Sequence, residues 1–122
     1  MKHPLDLFPY AQDPNSRPID LQTPDGLYVY VRDGTGILWV LPDGPHRHPM
    51  VLGRARPAMY AGDLTVADGK IWDVTNLSGT FRFDDEAGLL AVAEQLRQQG
   101  FQLEPGAVRL FPSDGSAPIV LE

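Results

Sequence analysis

The chain contains no cysteine. Disulfides, thiolate catalysis and cysteine-based zinc sites are therefore excluded. No apolar run approaches the ~20 residues that a membrane span needs. Cations are scarce: ten Lys and Arg face sixteen Asp and Glu, for a net charge of −6. That balance argues against a general nucleic-acid binder and against attachment to anionic membranes. The stretch Met1 to Asp20 lacks the basic start and apolar core of a signal peptide. A cytoplasmic location is the expectation, with export by a specialised secretion system left open. There is no G-x-S-x-G, no Walker loop and no H-E-x-x-H.

Proline and glycine are plentiful, with 12 of each in 122 residues. Such a composition disfavours a helical bundle and points to many short elements joined by turns. The length favours one domain that buries roughly two-thirds of its unfolded surface. Arginine outnumbers lysine eight to two, a composition that fits a GC-rich bacterial source.

Residues 1–26 read differently from the rest. Pro4, Pro9, Pro14, Pro18 and Pro24 recur every four to six residues. Each fixes φ and removes a donor, so neither a long helix nor a central strand forms here. Two readings stand: an extended arm laid on the domain, anchored by Leu5, Leu7, Phe8, Tyr10, Ile19 and Leu21, or a partly mobile terminus.

Residues 27–122 read as a single α+β domain. Leu27 to Val31 alternates, with the tyrosines on one face and Leu and Val on the other. The glycine-rich turn 33–36 leads to a return strand, Ile37 to Leu41. Ala58 to Val66 is a third apolar run, and Gly62 inside it signals a bulge or a close backbone approach. Asp68-Gly69 is a two-residue hairpin signal, with Lys70 to Thr75 as the partner strand. Thr80 to Phe83 follows as another short strand. One helix starts at Asp84 or Asp85 and carries a stripe of Leu89, Leu90, Ala93 and Leu96 before Gly100 stops it. Ala107 to Phe111 and Pro118 to Leu121 make a last hairpin. The expected architecture is a twisted, mostly antiparallel sheet of six or seven strands with one amphipathic helix packed on it.

Charge is uneven. Residues 46–56 hold Arg47, Arg54 and Arg56 and no acid, while the other seven Lys and Arg face all sixteen acids. A positive loop on an acidic body suits a phosphate, a nucleotide or a partner's carboxylates. The plainer reading pairs these arginines with acids of their own sheet. His46 and His48 form an H-x-H pair, but two ligands without a spaced third do not make a metal site. No metal and no cofactor are expected. Asp84, Asp85 and Glu86 are explained by the helix start. Tyr28, Tyr30, Trp39, Tyr60 and Trp72 are many large aromatics for one small sheet. Some must be core, and Tyr28, Tyr30, Trp39 and Trp72 are the candidates for a partner surface.

Several short motifs recur in a familiar order. They are His48-Pro49-Met50-Val51-Leu52-Gly53, Tyr60-Ala61-Gly62-Asp63-Leu64, Asp68-Gly69-Lys70-Ile71 and Ser78-Gly79-Thr80-Phe81-Arg82, closed by the helix and Gly100. This layout, about two-thirds of the chain, resembles a module of plant IQ-motif-containing calmodulin-binding proteins and of bacterial toxin- or effector-like proteins. That module carries H-S-S-F-L-A-G, A-A-G-x-L and S-G-H-Y-x-P. Here Pro49 and Met50 replace both serines, and Thr80 and Phe81 replace the histidine and tyrosine. The glycines survive, and they serve backbone shape. The resemblance therefore implies a kept scaffold with its reactive groups exchanged.

Two functions are expected from these features. The first is a small acidic binding protein, effector-associated or immunity-type, acting on a protein partner and not as an enzyme. The alternative is a transferase-like enzyme that binds a nucleotide or phosphate through the Arg47–Arg56 loop, with His48 and Ser78 as its polar groups. Oligomeric state has no signature in the sequence.

Overall fold

The computed structural model describes residues 1–44 and 48–122. In chain order its elements are β1 (Arg17–Pro18), β2 (Gly26–Asp33), β3 (Leu38–Pro42), α1 (His48–Leu52), β4 (Ala58–Ala67), β5 (Lys70–Thr75), α2 (Glu86–Gln98), β6 (Gln102–Leu103), β7 (Val108–Leu110) and β8 (Ile119–Val120). The fold is α+β. One mostly antiparallel sheet runs in the order β1-β3-β2-β4-β5-β7-β8, with β6 also on β5. The parallel pairs are β5 with β6 and β5 with β7, as expected where a helix carries the chain across.

Local chemistry explains the main elements. Asp68 (φ 54°) and Gly69 (φ 72°) form the two-residue turn between Ala67 and Lys70, with both residues left-handed as a type I′ hairpin needs. Asp85 caps α2 by accepting from the Gly88 N–H at 2.9 Å. At the other end the Gly100 N–H donates to Arg97 O and the Phe101 N–H to Leu96 O, the Schellman pattern, with Gly100 at φ 99°. The buried stripe of α2 is Leu89, Val92, Ala93 and Leu96. Leu90, expected in that stripe, is exposed.

Two other expectations need correcting. Residues 80–83 form no strand. Phe81 and Phe83 are buried there, and the Asn76 amide clamps the segment. Its Nδ2 donates to Phe83 O and Phe111 O, and its Oδ1 accepts from the Phe111 N–H. The segment expected as an arginine-bearing loop contains α1, whose Val51 and Leu52 enter the core.

β2 and β3 are covered on both faces. Register sets Tyr28 opposite Leu64 and Tyr30 opposite Gly62. On that face the Tyr60 hydroxyl donates to Asp85 O at 2.9 Å, which ties α2 to β4. The other face of β2 and β3 lies under α1 and the arm. The arm is pinned there by Asp13 N to Met50 O and by Ser16 Oγ to Val51 O, and Ile19 N to Leu38 O continues the β1–β3 pairing along the sheet edge. Ile19 is buried in the core.

Gly62 is the tightest point of the fold. A Cβ there would lie 1.8 Å from Thr75 O, so only glycine lets β4 and the end of β5 approach. The Tyr30 hydroxyl donates to the same Thr75 oxygen at 2.6 Å, which closes the junction with a buried hydrogen bond.

Candidate functional site

A cleft of about 810 Å³ opens where the arm, the start of α1, β4 and the 77–82 turn meet. Each wall has a local cause. The arm is held at Leu5, whose N–H donates to Thr80 O at 2.8 Å, and at Asp6, whose N–H donates to Thr80 Oγ1 at 3.2 Å. The 77–82 turn is shaped by Ser78, whose Oγ accepts from the Phe81 N–H at 3.0 Å. Asp43 and Gly44 follow β3 on the near side, and the Val29 side chain forms part of the lining.

His48 begins α1 and reaches β4. Its Nε2 lies 2.8 Å from Gly62 O. A carbonyl only accepts, so the imidazole proton sits on Nε2. The Asp63 carboxylate is 3.8 Å from the same nitrogen. Burial pulls the His48 pKa below its usual value, and the bond to Gly62 and the charge of Asp43 offset this only in part. Burial, with help from Asp43 and Asp73, pushes Asp63 up to about 6. The site thus holds a neutral imidazole beside a carboxyl that titrates close to neutral pH. Asp6 and Asp43 bring two further carboxylates to the lining, and among the described residues Arg82 is the one guanidinium that lines it.

The candidate residues from the sequence separate. His48 and Ser78 do share this cleft, but Arg54 and Arg56 do not join them. Arg56 turns back onto α1, donating to Leu52 O and Gly53 O, so it satisfies helix-end carbonyls. Arg54 is exposed, and its backbone N–H holds Tyr10 O at 2.7 Å. Arg47 and His46 lie outside the described residues. The expected phosphate loop is thus not assembled by Arg54 and Arg56, because α1 draws one to its own end and leaves the other on the arm side.

The aromatic candidates also divide. Tyr28 and Tyr30 are buried and unable to meet a partner, because both faces of β2 are covered. Trp39 is partly buried and donates from Nε1 to Asp33 Oδ2 at 2.9 Å. It lines a smaller cleft of about 400 Å³ that also includes Arg56. Trp72 is exposed, with its Nε1 donating to Ala67 O. Among the described residues no group of three His, Asp or Glu is placed to hold a metal ion. No helix among them is long and apolar enough to cross a membrane.

Sequence reasoning missed Asp6, Asp43, Asp63 and Arg82. Asp63 carried a readable signal: a carboxylate in mid-strand, flanked by Gly62 and Leu64. Such a residue is placed for a reason other than sheet packing. Comparison with protein-family models, with curated proteins and with solved structures finds no match to this chain.

Proposed function

We propose that this is a small binding protein that takes a cationic group of its partner into the cleft beside His48. One observation carries the reading: three separate segments bring Asp6, Asp43 and Asp63 to one cavity, and among the described residues that line it Arg82 is the one cation against them. An ammonium or guanidinium entering there gains charge-assisted bonds and offsets the burial, and the charges of Asp43 and Asp73, that raise Asp63. An anion meets carboxylates instead. Two positions support binding over catalysis. Pro49 and Thr80 line the cleft, and they stand where the resembling module carries a serine and the histidine of S-G-H-Y. A protein partner and a cytoplasmic setting belong to the same reading.

The test is calorimetric titration and thermal shift with arginine amide and spermidine, set against AMP and inorganic phosphate. Cations should stabilise the fold, more strongly at pH 7 than at pH 5, and Asp63→Asn should weaken their binding. Stabilisation by AMP or phosphate with none by the cations would overturn the proposal.

A transferase-like reading keeps one specific support. The His48 imidazole, the Ser78 hydroxyl and the Arg82 guanidinium line the same cleft. It expects the opposite ligand preference, with nucleotide binding lost on Arg82→Ala.

A further inference from the structure

The cleft continues past its carboxylates into an apolar rim. Leu5 and Leu77 line it and are both exposed. From Leu5 the arm runs on to Leu7 and Phe8, which are 65% and 61% exposed. These side chains do not stand out because the backbone is loose. The chain is tied to Thr80 through Leu5 and Asp6. The Phe8 N–H donates to Asp6 Oδ1, and the Tyr10 N–H to Phe8 O. Tyr10 O then accepts from the Arg54 N–H, and the Phe8 and Tyr10 rings meet at 4.6 Å. The fold therefore holds a strip of large apolar groups in water, immediately beside an acidic cavity.

A patch of this kind marks an interface when its apolar and polar parts are contiguous. Charge selects among occupants. Nucleic acid and anionic lipid would set phosphates against Asp6, Asp43 and Asp63. A free amine or polyamine satisfies the carboxylates but leaves Leu5, Leu7, Phe8 and Leu77 uncovered. A protein segment with one Lys or Arg flanked by apolar side chains covers both parts. We infer that the partner is such a segment, its basic side chain in the cleft and its apolar neighbours along the Leu5–Phe8 strip. The inference rests on the cationic-cleft reading above and adds the identity of the occupant.

The test selects a displayed random-peptide library against the full chain, then measures binding of the enriched peptides by fluorescence anisotropy. Enriched sequences should place Lys or Arg beside apolar residues. The double variant Leu7→Ser/Phe8→Ser should weaken them at least tenfold, as should Asp43→Asn/Asp63→Asn. Leu7 and Phe8 are exposed, so their replacement leaves the melting temperature unchanged, and that is checked in parallel. Failure to enrich any peptide, enrichment of acidic or uncharged sequences, or affinity unchanged by Leu7→Ser/Phe8→Ser would overturn the inference. So would co-sedimentation with phosphatidylserine vesicles that is lost in the same variant. Arginine amide separates the two levels: if it stabilises the chain while the peptide arm fails, the cleft reading survives and the partner falls. If neither binds, both fall.

Discussion

Replacing Asp63 with asparagine should stabilise this protein at neutral pH and leave it unchanged in acid. The carboxyl is raised from 3.8 to about 6, first by burial and then by Asp43 and Asp73. Its ionised form is therefore disfavoured in the folded state. For a fully buried group, a rise of that size corresponds to about 3 kcal/mol. The side chain is 41% exposed, however, and solvent screens such a charge, so about 1 kcal/mol is the expected magnitude. The sign follows from proton binding. Between pH 3.8 and about 6 the folded chain holds a proton that the unfolded chain has released. Stability from this group is fully present below 3.8 and is lost as pH rises through about 6. The D63N variant carries no titrating group there, so its advantage opens across that window and then stays level. His48 slopes the other way: its pKa is lowered, so its contribution is present above 6.5 and is lost as pH falls through the folded value. Both proteins keep His48, whose Nε2 lies 3.8 Å from the Asp63 carboxylate, so the difference between them isolates Asp63 at pH 7, where the lowered pKa keeps the imidazole neutral. Urea unfolding near pH 3.5, 5 and 7 measures it, with a midpoint gain of about 0.5 M at the highest pH. A loss of stability at pH 7, or a gap equal at every pH, would refute the electrostatic account and leave only a packing effect.

Other substitutions probe the scaffold under the cleft. Gly62→Ala should cost about 3 kcal/mol or more, because the new methyl meets Thr75 O at 1.8 Å and both partners are backbone. Gly79→Ala, with open space around it, should shift the urea midpoint little. Asn76→Ala removes three hydrogen bonds from a buried amide and leaves two carbonyls and an N–H unpaired. It should cost about 3 kcal/mol by the same assay. Asp85→Ala removes the cap of α2 and should cost about 1 kcal/mol, read as a lower melting temperature by circular dichroism.

The fold was legible where local chemistry and tertiary packing agree. Period two set β2 to β5, the Asp68-Gly69 pair set a hairpin, and Asp85 with Gly100 bounded α2. The strand over residues 80–83 was misread for a physical reason. Thr-Phe-Arg-Phe has the alternation of a strand, but Asn76 engages the backbone at Phe83 and at Phe111, and both phenylalanines turn inward. A distant amide overrides local preference, and no window of neighbouring residues contains it. Tyr28 and Tyr30 fail as surface candidates on similar grounds. Their alternation is real, but it says only that two faces differ, not that one is wet. α2 covers one face, and α1 with the proline-spaced arm covers the other.

The site was legible in its pieces and not in its assembly. His48 and Ser78 were named from type and position, while the arginines drew attention because their charges are near in sequence. Folding separates what sequence groups together: α1 satisfies its own last carbonyls with Arg56, and the acids that replace the arginines come from positions 6, 43 and 63. Each of those acids alone looks like a solvated carboxylate. Only the approach of β4 to Thr75, which Gly62 permits, and the arm's bonds to Thr80 bring them to one cavity. The property on which the proposed binding rests, three carboxylates brought to one cleft, therefore belongs to long-range geometry. For the same reason it should respond to Gly62→Ala as well as to the carboxylates. A variant that keeps Asp6, Asp43 and Asp63 but shifts β4 should lose cation binding along with the neutral-pH destabilisation that Asp63→Asn relieves.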